Sequence, residues 1–145
     1  MVSIRKMEIN DLPRVWELGV EEFDMTKLYH QYWTLAELVH AMMNDPDFCI
    51  VAEEKDEIVG FAIGHRKFSA WREDLSIIEW CAVEKKHQKR GIGTKLCREL
   101  IERFRKTGAR GVIADVKADN EASAKLLRKL LFKKRFTVDW LIRKL

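Results

Sequence analysis

Gln88-Lys89-Arg90-Gly91-Ile92-Gly93 lies between an apolar run that ends at Val83 and an amphipathic stretch that begins at Ile92. That order predicts a strand, a glycine-bearing bend and a helix. Two glycines one residue apart let backbone approach a bulky anion, and the first turn of the following helix offers unpaired N–H groups with partial positive charge. Lys89 and Arg90 add mobile cations beside it. The stretch reads as a pyrophosphate cradle, although an ordinary strand-to-helix turn also uses glycines and stands as the plainer reading. The dinucleotide fingerprint is disfavoured, because Thr94, Lys95 and Leu96 follow where a third glycine is needed. A Walker loop is disfavoured too, since Gly93-Thr94-Lys95 has the wrong order and spacing.

Outward from the bend, the chain alternates strands and helices. Val2 to Met7 suggests a first strand. Asn10-Asp11-Leu12-Pro13 offers a cap and a proline in a first helical turn, with Leu12, Val15, Trp16 and Leu18 as the apolar face through Gly19. Thr34-Leu35-Ala36-Glu37 has capping-box spacing, so a second helix is expected to about Met43, before Asn44-Asp45-Pro46. Phe48 to Glu53 and Ile58 to His65 read as an antiparallel hairpin, and Leu75 to Val83 as the next strand. Ile92, Leu96, Cys97, Leu100, Ile101 and Phe104 recur at helical spacing. Gly111 to Lys117 is a further short strand. Asp119 or Asn120 caps a fourth helix whose Ala122, Leu126, Leu127, Leu130 and Leu131 are expected to pack inward. Arg135 to Leu145 is strand-like, with Phe136, Val138, Trp140 and Ile142 on one face. This is an α/β layer arrangement.

The bend, with Gln88, Gly91 and Gly93 in the pattern Gln/Arg-x-x-Gly-x-Gly/Ala, resembles the coenzyme A loop of the GNAT acyltransferase superfamily. The resemblance extends from about Ser3 to the C-terminus through the order of elements. It implies the GNAT acyl-CoA N-acyltransferase fold: a mixed, mostly antiparallel central sheet flanked by about four helices, as one domain over residues 1–145. That family usually finishes with two strands, so a shortened C-terminal hairpin is expected, or a sheet completed by another chain. The resemblance further implies that Gln88, Lys89, Arg90, Gly91, Ile92, Gly93 and Thr94 hold the coenzyme diphosphate. Cys81, Ala82 and Val83, after Trp80, would pair with its pantetheine arm, and Asn120 and Ser123 lie in a segment similar to one that contacts the coenzyme. Where the family often has a tyrosine as general acid, seven residues after that asparagine, this chain has Leu127. The leaving group then departs as thiolate, takes its proton from the new ammonium, or uses Tyr29 or Tyr32.

Glu79 is the anomaly of its strand. In Ile77-Ile78-Glu79-Trp80-Cys81-Ala82-Val83, alternation places it with Ile77, Cys81 and Val83. A carboxylate among such neighbours needs a partner or a shifted pKa. One reading is a bridge to a lysine or arginine. The other follows from the resemblance: an attacking ammonium must lose a proton before it reaches a thioester, and a strand glutamate serves related enzymes as that base. Asp115 is the reserve candidate. Backbone N–H groups near Ala82 and Val83 are the implied donors to the tetrahedral oxygen.

The 145 residues suit one core, and 47% hydrophobic with 34% charged residues excludes disordered and membranous classes. Lacking an apolar signal segment, the chain is expected in the cytoplasm. Cys49, Cys81 and Cys97 sit in apolar stretches and read as buried reduced thiols, a nucleophile being the alternative; no metal spacing is present. His30, His40, His65 and His87 are scattered and read as surface or capping groups. A formal charge of +4 suits a polyanionic ligand; RNA ranks last, since Lys85 to Lys95 holds no aromatic residue. For the acceptor groove, Phe23, Tyr29, Tyr32, Trp33, Phe68 and Trp71 are candidates beside a plain core role, with Glu21, Glu22 and Asp24 to attract a cation. The expected activity is transfer of an acetyl group from acetyl-CoA to a primary amine, on a small molecule or peptide, by direct attack within a ternary complex. The alternative is a noncatalytic acyl-CoA-binding module. A homodimer is plausible for the family.

Overall fold

The computed structural model describes residues 1–24, 33–67, 74–139 and 141–145, Lys67 by its backbone only. In chain order these form β1 (Ser3–Lys6), α1 (Leu12–Glu22), α2 (Leu35–Asn44), β2 (Cys49–Glu54), β3 (Glu57–Lys67), β4 (Leu75–Val83), α3 (Ile92–Lys106), β5 (Gly111–Ala114) and α4 (Glu121–Lys129). The strands lie in chain order in one sheet, antiparallel from β1 to β4 and parallel between β4 and β5. The mixed sheet and its four helices are those expected from the sequence.

Local chemistry explains the boundaries. Thr34 Oγ1 accepts from the Glu37 amide at 3.1 Å and starts α2. Lys55 and Asp56, with φ of 52° and 63°, form the two-residue loop that turns β2 into β3. β1 is fastened by Arg5, which reaches Glu53 and Asp11 at 2.7 Å each, while Asp11 also accepts from the Glu8 amide. The Arg5 guanidinium holds the Asp11 carboxyl below the usual carboxylate range.

The sheet is buried on both faces, so alternation along β2 and β3 divides one core into two layers. Val51, Phe61 and Ile63 face α1 and α2; Ile50, Ala52 and Ala62 face α3, against Leu96, Leu100 and Phe104. Cutting Leu96 back to alanine would cost about 2–5 kcal/mol by the usual cavity scale.

Three expectations need correction. β5 ends at Ala114, short of Lys117. Leu126, Leu127 and Leu130 of the α4 region are half-buried, but Ala122 and Leu131 are exposed, because α4 covers only the rim of the α3 layer. No strand forms among the described residues of 135–145, where Phe136 and Ile142 are 72% and 66% exposed. Alternation fixes where side chains would point, but a strand also needs a neighbouring ladder for its backbone groups, and none meets this segment. Trp140 lies outside the described residues. Among the described residues no helix is long and apolar enough to cross a membrane.

Candidate active site

β4 is the pivot of the site. Its pairing with β5 covers only Leu75–Ile78, so from Glu79 to Val83 the strand runs on without that neighbour and a gap opens. The Glu84 amide donates to the Val59 carbonyl of β3. By the period of two, the amides of Val83 and Cys81 then face the gap and that of Ala82 faces β3. Of the donors expected near Ala82 and Val83, the strand therefore turns only Val83 outward.

A register step between β3 and β4 pairs Ile63 with Trp80 but Gly64 with Ile78, leaving Glu79 as the extra residue of a bulge. The bulge reverses the alternation. Ile78 packs toward α3, yet Trp80 and Ala82 pack toward α1 and α2. Glu79 therefore does not share a face with Cys81 and Val83, which pack against the α3 layer. It lines a cavity of about 230 Å³ with Trp33, Glu37, His40, Asp45, His65 and Trp80. Its Oε2 lies 3.2 Å from His65 Nδ1. A histidine thus faces this carboxylate across the sheet.

At the other end of β4, the bend leads into α3. Gly91 has φ 79° and Lys89 φ 61°, an alternation of hand that turns successive amides into a concavity. The first amide bond of α3 runs from Lys95 to the Gly91 carbonyl, and no protein acceptor among the described residues takes the N–H groups of Lys89 to Thr94. Six adjacent donors are thus available beside the Val83 end of the gap. The two glycines serve different ends. Gly91 supplies the left-handed turn, with open space where its side chain would be; a Cβ on Gly93 would sit 3.0 Å from Leu126, so that glycine lets α4 approach.

The side chains of the bend are less mobile than the sequence suggested. Arg90 clamps Glu54 through two bonds of 2.9 and 2.7 Å, holding that carboxyl down to about 2. Gln88 Nε2 donates to the Val83 carbonyl and to Glu22, both at 2.8 Å, and Glu22 also accepts from the Lys85 amide. Glu22 therefore anchors α1 to the bend. Lys89 is exposed, Ile92 buried, and Thr94 half-buried in the first turn of α3. Asn120 Oδ1 accepts from the Ser123 amide at 3.1 Å and caps α4. Asp115 is exposed beyond β5 and does not line the cavity.

Phe23 and Trp33 belong to an aromatic cluster with Phe61 and Trp80, at centroid distances of 4.9 to 6.0 Å. Trp33 faces both that cluster and the cavity, while Tyr29, Tyr32, Phe68 and Trp71 lie outside the described residues. The carboxylates of the cavity are Glu37, Asp45 and Glu79 rather than Glu21, Glu22 and Asp24. Of the histidines, His40 is exposed as expected, yet it and His65 line the cavity; His87 is held 2.8 Å from Glu84, and His30 lies outside the described residues. Period two from Ile63 to His65, and the stripe Glu37, His40, Ala41, Asn44, were the legible signals for these missed residues. The cysteines stay clear of it; burial pushes Cys49 up to about 12, and Cys81 and Cys97 meet with sulfurs 3.9 Å apart.

The model of the acetyltransferase (GNAT) family matches residues 8–132. The chain belongs to that family. Among curated GNAT relatives, the L-2,4-diaminobutyric acid acetyltransferase of Shouchella clausii is 30% identical over 130 residues, covering 90% of this chain and 68% of the relative. The enzyme of the same name from Halalkalibacterium halodurans is 26% identical over 129 residues, covering 89% of this chain and 64% of the relative. The chain thus spans about two thirds of the length of these relatives. Among solved structures, aminoglycoside acetyltransferase AAC(6')-Iy with a CoA-linked bisubstrate analogue superposes with a TM-score of 0.82 at 17% identity, covering 100% of this chain and 99% of that one. The protein is a GNAT-family acetyltransferase.

Proposed function

We propose that this acetyltransferase binds the coenzyme diphosphate on the amides of Lys89 to Thr94, threads the pantetheine arm along Cys81 to Val83, and receives a cationic amine in the Glu79 cavity. The carrying observation is the run of unpartnered amides at the mouth of the gap between β4 and β5. A helix N-terminus with a left-handed glycine before it suits a diphosphate, and Lys89 adds charge. Cofactor and amine then meet at the bulge: the Cys81 and Val83 amides face the gap, and Glu79 faces the cavity. Glu79 supplies the negative charge that draws a proton from the ammonium, so the freed nitrogen attacks the thioester directly. Asn120, occupied as a helix cap through Oδ1, keeps its amide nitrogen for the coenzyme, with Ser123 alongside.

The acceptor in this reading is a small amine carrying a second basic group. Glu37 and Asp45 supply further negative charge around the cavity, and the relatives acting on diaminobutyric acid use such a molecule. A second copy of the chain is the remaining partner, covering the exposed Phe136 and Ile142.

Isothermal titration with acetyl-CoA tests the cradle. Gly91→Glu strains a left-handed position and places negative charge among the donors, and binding is expected to be lost. Unchanged affinity would remove the bend from the coenzyme site.

A further inference from the structure

Nδ1 of His65 lies 3.2 Å from Glu79 Oε2, and both residues line the cavity that Trp33 and α2 close. His65 pairs with Ile77, and period two from Ile77 sets Glu79 on the same face, toward α2; the bulge at Glu79 then brings Trp80 to that face as well. The side chains are 25% and 34% exposed, so water and a small amine reach the pair. A carboxylate with a reference pKa near 4.3 holds a proton poorly at neutral pH, whereas an imidazole near 6.5 is matched to the task.

We infer that His65 is the proton-accepting residue of this transferase, and that Glu79 acts through it by fixing the imidazole. The inference rests on the reading of the Glu79 cavity as the amine site. With Nδ1–H donated to Glu79, the lone pair resides on Nε2, the division of labour seen wherever a carboxylate orients a catalytic imidazole. The ammonium gives one proton to Nε2. Its nitrogen then attacks the thioester carbonyl, a C–N bond forms and the C–S bond breaks. The second proton leaves the attacking nitrogen for the departing thiolate, yielding amide, free thiol and imidazolium. No tyrosine is required at Leu127. Among the described residues, the charged groups that line the cavity with His65 are Glu79 from β4 and Glu37, His40 and Asp45 from α2 and its end, and the carboxylates favour the imidazolium.

The experiment measures kcat and KM against pH for the whole chain with acetyl-CoA and a panel of L-2,4-diaminobutyrate, 1,3-diaminopropane and lysine. Variants are His65→Asn, which keeps a donor toward Glu79 but cannot take a proton, and Glu79→Gln. For His65→Asn, kcat at pH 7 is expected to fall by about 100-fold or more, with loss of the wild-type acidic limb and little change in the KM for acetyl-CoA. Glu79→Gln should keep that limb, moved to lower pH. If His65→Asn retains the limb with kcat within about threefold, and Glu79→Gln abolishes it, Glu79 is the base and the inference is overturned. Wild-type protein that binds acetyl-CoA yet turns over no member of the panel overturns the amine-site reading, and the inference with it.

Discussion

Arg5 and Asp11 show what one residue pair contributes before any chemistry begins. Asp11 is only 10% exposed, and it stays ionised because the guanidinium and the Glu8 amide both face it. A carboxyl whose folded pKa is depressed stabilises the fold above the unfolded value, near 3.9, and that contribution is lost as pH falls through the folded value. Asp11→Asn is therefore expected to lower stability by about 1–2 kcal/mol at pH 7. The deficit should shrink below about pH 4, where wild type loses its own advantage. Urea unfolding at pH 7 and pH 3 checks the sign; an equal deficit at both would show that the charge is irrelevant. At this scale Glu79 was legible as an oddity because a lone carboxylate interrupts an apolar run. Its partner was not, since His65 stands fourteen positions earlier and is brought near by pairing across the sheet.

Helices and strands make the same point through packing. Gly19 sits inside α1, where alanine would ordinarily be favoured by about 1 kcal/mol. Here a Cβ would lie 2.2 Å from the Trp33 ring, which donates from Nε1 to the Trp16 carbonyl. Gly19→Ala is thus expected to destabilise, by about 1–3 kcal/mol, as the ring is pushed off α1. Because Trp33 also lines the cavity, the amine KM should rise while affinity for acetyl-CoA holds. Calorimetric melting with steady-state kinetics tests both, and a stabilised variant would show that propensity outweighs packing. The helices and β1 to β4 were readable because caps, turn residues and periodicity are local signals. The β4 bulge was not, because it is a mismatch between two strands and neither strand carries it alone. One reversed alternation then moved Trp80 and Ala82 to one face and Cys81 and Val83 to the other.

For the whole molecule, donor binding and folding are linked. The proposed coenzyme site joins β4, the bend and α3, and a ligand that binds only the native state adds about 2.7 kcal/mol at 100 times its Kd. Saturating acetyl-CoA should accordingly raise the melting temperature, and Gly91→Glu should remove that rise with little loss of its own ligand-free stability beyond the backbone strain. A persistent shift in the variant would move the coenzyme elsewhere. The sequence by itself determined the α/β order, the family loop and the glycine bend that opens α3, because each depends on residues within a turn or two of one another. Only the tertiary structure decided that Glu79 parts from the face of Cys81 and Val83, that a histidine meets it, that Arg90 is held by Glu54, and that the described residues of 135–145 form no strand. Those outcomes depend on distances between residues far apart in the chain, and such distances are set by strand register and helix packing rather than by local pattern.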